Sequence, residues 1–155
     1  MKNLTGAQWP SRVDLPHLLD NLPLFINSLG FHFWAFTFIS PNRRESTSNF
    51  PTRWLEHYKQ HGYAALDPVV VHCRTSSLPL MWDATIFSSA PEIWAQAQAC
   101  GLRHGWVQPT HSQHTHSSLS VLRSNDSISS NEYYEKAAQV MWLGELLHRA
   151  RLQQC

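Results

Sequence analysis

Positive charge is never gathered in one place along this sequence. Lys and Arg number 12 against 11 Asp and Glu, a formal net charge of +1, and the only basic cluster is "NRR" at 42–44. A protein that grips nucleic acid needs an array of cations facing phosphates. The chain as it stands is therefore not expected to hold DNA by itself. Long apolar runs are missing too, so no segment reaches the ~20 residues that cross a bilayer. The opening "MKNLTGAQWPSRVDLP" has no apolar signal-peptide core. Cysteine is scarce: Cys73, Cys100 and Cys155 show no paired spacing, which reads as reduced thiols in a cytoplasm. There is no G-x-S-x-G, no H-E-x-x-H, no glycine-rich phosphate loop and no carboxylate pair. Neither an enzyme nor a metal or cofactor is expected.

Aromatic mass is what the chain has in quantity. It carries 7 Trp, 7 Phe and 4 Tyr, within 43% apolar against 15% charged residues over 155 positions. That balance suits one globular domain with a sizeable core. "DLPHLLDNLPLFINSLGF" reads as helical turns with one break, because Pro16 and Pro23 each suit a helix start, and with Gly30 as the stop. "FHFWAFTFI" (31–39) is apolar on both alternating faces, as in a strand covered on both sides. "SPNRRESTSN" reads as a polar loop. Helices are expected from Pro51 to about His61, from Asp67-Pro68 to about Arg74, and from Pro91 to Gly101. "LPLMWD" is a short extended piece. "GWVQPT" and "SSLSVLRS" form an antiparallel pair around the loop "HSQHTH". A long helix closes the chain, with Ser129 and Glu132 as a capping box and Tyr133, Ala137, Val140, Met141, Gly144 and Leu147 on its apolar stripe. The whole is α+β, with helices available for both faces of an antiparallel sheet.

Two histidine patterns invite chemistry and do not sustain it. His111, His114 and His116 have no Cys or carboxylate beside them, so they read as a solvated loop rather than metal ligands. His72 and Cys73 are chain neighbours and do not face each other as base and nucleophile. The stretch "RWLEHYKQHGYAALDPVV" is richer. Trp54 carries one indole donor, Tyr58 one hydroxyl, and ionised Asp67 only acceptors. Trp54 and Tyr58 read locally as core residues with surface tips, and Asp67 as the cap of the next helix. Taken together, the same atoms suit a small polar head bearing a carbonyl and an amide N–H, with an apolar tail among the aromatics.

The segment "NFPTRWLEHYKQHGYAALDPVVVHCRTSSLPLMWD" (49–83) resembles the signature of the autoinducer-binding domains of LuxR-type quorum-sensing regulators, with W-x-x-x-Y, D-P and a later W. The likeness continues through "CGLRHGWVQPTH" and "SSLSVLRSNDSIS" and covers about residues 25–150. By that resemblance the domain is an α/β/α sandwich, a central antiparallel sheet of about five strands with helices on both faces; it binds an N-acyl homoserine lactone of medium to long chain in a buried pocket, forms a homodimer, and meets DNA only through a C-terminal helix-turn-helix domain that this chain does not contain. The resemblance makes Trp54 the donor to the lactone carbonyl and Asp67 the acceptor of the ligand amide N–H. It makes Tyr58 and Trp82 walls of the head group, Ser120 a partner of the amide carbonyl, and Gly105 the glycine beside the pocket. Phe87, Trp94 and Leu102 complete the expected lining.

Three positions depart from the family pattern. Phe50 stands where several relatives have a tyrosine, Val69 where some have a threonine, and Leu55 where some have a basic residue used near a 3-oxo group. Ser120 then carries more of the head-group task, and a 3-oxo preference is not expected. The chain also ends soon after its last helix. That reads as a ligand-binding fragment, or alternatively as a short interaction protein that heterodimerises with full-length regulators and silences them.

Overall fold

The computed structural model describes residues 14–154; the stretch before them and Cys155 lie outside the described residues. In chain order the elements are α1 (Leu15–Ser28), β1 (Phe33–Ser40), β2 (Arg43–Ser48), α2 (Thr52–Gln60), α3 (Pro68–Thr75), β3 (Leu80–Met81), α4 (Pro91–Ala99), β4 (His104–Ser112), β5 (Thr115–Arg123) and α5 (Ser130–Leu152), with a single 3-10 turn at Tyr63–Ala65. The five strands form one antiparallel sheet in the order β2-β1-β5-β4-β3.

The two faces of β1 separate as its alternation requires. Trp34, Phe36 and Phe38 join Trp106, Leu119 and Val121 in a core beneath α1 and α5. Ala35, Thr37 and Ile39 face the opposite side, toward α2 and α3. On that side a second core gathers Trp54, Tyr63, Trp82, Phe87, Ile93 and Leu102. Helices thus cover both faces of a five-stranded sheet.

Helix α5 comes close to the sheet at Gly144, where an added Cβ would sit 3.5 Å from the Thr110 hydroxyl and 3.9 Å from Leu119. Its N-terminus is capped by Ser129, whose Oγ accepts from the Glu132 N–H at 3.0 Å. The Glu132 side chain does not complete the expected capping box. It binds both guanidinium nitrogens of Arg123, at 2.6 and 2.7 Å, and Lys136 at 2.6 Å. The bidentate pair outcompetes the weaker reach back to a backbone N–H.

Four expectations need correction. First, α1 runs unbroken with Pro23 inside it. Proline removes one backbone donor, and burial of Leu22 and Ile26 on either side outweighs that loss. Second, the "polar loop" holds β2, which pairs with β1 from Ala35↔Ser48 to Ser40↔Arg43. An edge strand with polar residues on both faces has no apolar alternation to betray it. Third, both strands of the hairpin run on through the histidine loop. Ser112 pairs with Thr115, leaving only Gln113 and His114 in the turn, and His114 takes the left-handed conformation (φ 66°). Fourth, Met141 is 54% exposed, because the buried stripe of α5 passes through Val140, Leu143, Gly144 and Leu147 instead.

Candidate functional site: a cavity between the sheet and helices α2 and α3

Between the β1/β2/β5 face and helices α2 and α3 lies a cavity of about 800 Å³. Its roof begins with α2. Trp54 and Tyr58, one helical turn apart, both turn inward, with ring centroids 5.6 Å apart. Trp54 is only 4% exposed, and its indole N–H has no hydrogen-bond partner among the described residues. Trp54 lines the cavity, so that donor is available to an acceptor placed there.

Asp67 enters where α3 starts. One carboxylate oxygen caps the helix by accepting the Val69 N–H at 2.9 Å, and the other accepts the Tyr58 hydroxyl at 2.8 Å. Pro68 supplies the first-turn proline. Burial pushes the Asp67 carboxyl above the usual carboxylate range, while the Val69 and Tyr58 bonds and the nearby Arg44 charge pull it back. Burial, then the Asp67 charge, pushes the Tyr58 phenol upward, so it stays a protonated donor. A carboxylate offers about four lone-pair sites. Two are occupied, and acceptor capacity remains on a group whose orientation the cap and Tyr58 fix.

The floor is the sheet. Strand register sets it out in rows: Ser48, Ala35 and Ser120; then Ser46, Thr37 and Ser118; then Arg44, Ile39 and His116. The Ser120 hydroxyl has no partner among the described residues. Cys73 of α3 lies over the middle row beside the Ser118 hydroxyl, and burial pushes its thiol up to about 12, so it is an unreactive lining group.

Of the residues singled out in the sequence, Phe50, Trp54, Tyr58, Asp67, Val69, Trp82 and Ser120 come together on this one cavity, and Leu55 joins them. Phe87, Trp94 and Leu102 do not line it. They stand behind Trp82: its indole N–H donates to the Leu102 carbonyl at 2.9 Å, the Phe87 ring meets it at 5.0 Å, and Trp94 meets Phe87 at 5.4 Å. Trp82 therefore offers the cavity ring surface and no donor.

Gly105 does not line this cavity either. It borders a separate space of about 590 Å³, and its need for glycine is internal: a Cβ there would lie 1.8 Å from the Val121 carbonyl oxygen, at φ +150°. The sequence reading missed Arg44, Ser46 and Ser48, hidden in the strand mistaken for a loop. It also missed Thr37, Ser118 and His116, whose alternation was visible but whose covering helices were not.

Comparison with known proteins meets this geometry. The family model described as "Autoinducer binding domain" matches residues 16–151. The transcriptional activator protein PhzR of Pseudomonas fluorescens is 33% identical over 114 residues, 70% of this chain and 47% of that protein. The HTH-type quorum-sensing regulator RhlR of Pseudomonas aeruginosa is 30% identical over 129 residues, 79% of this chain and 53% of that protein. The chain thus spans about half the length of these relatives, by name a transcriptional activator and a quorum-sensing regulator. The crystal structure of CepR2 from Burkholderia cenocepacia, an N-acylhomoserine lactone dependent LuxR family transcription factor, shares the fold. Its TM-score is 0.79 at 18% identity, over 88% of this chain and 84% of that one. With a cavity at the family's signature residues and a family match across nearly the whole chain, the protein belongs to the autoinducer-binding domains of LuxR-type quorum-sensing regulators.

Proposed function

We propose that the cavity receives an N-acyl homoserine lactone and that this domain is the ligand-binding and dimerisation part of a transcriptional regulator. The observation that carries the reading is the Trp54 indole N–H, held on a buried residue that lines the cavity and without a partner among the described residues. A lactone carbonyl there would complete it. The amide N–H would fall to a free lone pair of Asp67, and the amide carbonyl to the Ser120 hydroxyl. Tyr58, already donating to Asp67, would steer the carboxylate and wall the head group with its ring. Phe50, Val69 and Leu55 add only apolar surface, so no side chain of theirs favours a 3-oxo group. Tyr134 and Met141, 77% and 54% exposed and two turns apart on α5, offer an apolar stripe for a second copy.

A ligand that binds only the folded state stabilises it by mass action. Soluble yield and melting temperature should therefore rise when the chain is produced with medium- or long-chain acyl homoserine lactones. At ligand a hundredfold above Kd the gain is about 2.7 kcal/mol, a shift of several degrees for a domain of this size. The absence of any shift across all chain lengths would sink the reading.

A further inference from the structure

Arg43 and Arg44, the basic pair of the sequence, are sent to opposite faces by the pleat of β2. Arg43 pairs with Glu45 on its own face at 2.9 Å, and Arg151 of α5 binds the same carboxylate at 2.6 and 2.8 Å. Arg44 shares the other face with Ser46 and Ser48 and lines the cavity. Strand pairing sets its backbone against Ile39, in the last row of the floor. Its side chain does not stay in that row. The guanidinium reaches the Tyr58 hydroxyl of α2 and stands near the Asp67 charge at the start of α3. Three elements, β2, α2 and α3, thus converge on one carboxylate.

The direction of the contacts follows from the groups. A guanidinium only donates, and an ionised carboxylate only accepts. The Tyr58 hydroxyl gives its proton to Asp67 Oδ2 at 2.8 Å, which leaves its oxygen to face the arginine as an acceptor. Each group in such a chain polarises the next. Asp67 needs the help, because burial disfavours its charged form and Tyr58 and Arg44 offset that cost. Lys59 of α2, Cys73 of α3 and His116 of β5 are the other titratable or charged side chains in the cavity wall. We infer that Arg44 is a positioning residue of the head-group site: from the edge strand it steers the Tyr58 hydroxyl and holds Asp67 as the charged acceptor for the ligand amide N–H. The inference rests on the preceding reading for the identity of that ligand. It adds to the site a residue from a strand that carries no apolar pattern and touches the ligand only through two others.

The titration of Asp67 itself tests it. Its carboxyl carbon is followed by NMR against pH in the ligand-free chain, because His116 in the same wall would blur a bulk signal. In Arg44→Met the Asp67 midpoint should rise, and in Arg44→Lys, which keeps the charge, it should stay close to wild type. Calorimetry with an N-acyl homoserine lactone gives the second readout. At neutral pH Arg44→Met should bind about threefold weaker, and Arg44→Lys should restore most of the affinity. The loss in Arg44→Met should grow as pH falls toward the raised midpoint, where the carboxylate takes up its proton before that of wild type does. Arg44 is exposed on an edge strand, and circular dichroism checks that both variants fold. An Asp67 midpoint unmoved in Arg44→Met overturns the inference. So does full affinity in that variant, or a loss of equal size at every pH. If no lactone binds the wild type, the receptor reading falls, and the Asp67 midpoint alone decides whether Arg44 governs the carboxylate.

Discussion

Four tryptophans among the described residues hold an indole N–H that no described residue accepts: Trp34, Trp106, Trp94 and Trp54. The first two are sealed in the core under α1 and α5, where nothing from outside can reach them. Only Trp54 opens on the cavity. Trp54→Phe should therefore cost ligand affinity about tenfold by deleting one donor while keeping apolar bulk, and Trp34→Phe should leave affinity unchanged. Equal effects from both in a binding titration would remove the lactone contact from the site. Asp67→Asn makes a sharper separation. Asn caps a helix about as well as Asp, and its amide can donate to a Tyr58 hydroxyl turned acceptor. Because burial raises the Asp67 carboxyl, its charged form is disfavoured in the fold, so the neutral variant should match or exceed the wild-type melting temperature without ligand at neutral pH. Its affinity should still fall about tenfold, since an ionised acceptor is lost. A variant that loses stability yet keeps affinity would reduce Asp67 to a cap. These residues were legible in the sequence because each carries its polar atom on a recognisable local signal: an i, i+4 aromatic pair and an Asp-Pro helix start. What the sequence could not show is that Tyr58 donates to Asp67, a contact across nine residues and a turn.

At the scale of elements, legibility followed whether an element's apolar side showed in one dimension. Strand β1, apolar on both faces, and the capped helices α3 and α5 emerged from periodicity. Strand β2 did not, because its six residues, "RRESTS", are all polar and it pairs in the sheet with β1 alone. That omission also concealed half of the polar floor. The docking of α5 was likewise only half visible. Its Ser129 cap is local, whereas the Arg123–Glu132–Lys136 cluster joins β5 to the helix and needs the fold to exist. Arg123, and then Lys136, hold the Glu132 carboxyl at about 2 against an ordinary 4.5. The folded state favours the charged form, so the cluster contributes fully above pH 4.5 and is lost as pH falls toward 2. Glu132→Gln should lower the urea midpoint at neutral pH, and the gap to wild type should narrow steadily below pH 4.5. A gap of constant size from neutral pH to pH 3 would show that the loss is one of packing and not of charge.

The whole molecule is lopsided about its sheet. Beneath α1 and α5 the core runs without interruption from Leu22 and Ile26 through Trp106 to Leu147, and Glu132, Arg123 and Arg151 tie its rim, the last through a two-bonded pair with Glu45. Above the other face the helices are short, α2 of 9 residues and α3 of 8, and they stand over about 800 Å³ of cavity. Helices that short have little stability of their own, and a roof over a cavity lacks contacts on its inner side. The sheet divides a stable half from a half that, on the proposed reading, a ligand completes. Amide exchange should show this directly. Without ligand, α2, α3 and edge strand β2 should exchange through local openings well before α1, β4 and α5. A ligand lying between roof and floor joins these three elements to one another, so its binding should slow exchange in all three together and leave α1 and α5 nearly unchanged. Protection gained only at α5, or spread evenly over the chain, would place the ligand elsewhere. Protection confined to α2 and α3, with β2 unaffected, would seat the head group under the roof and keep the chain off the edge of the floor.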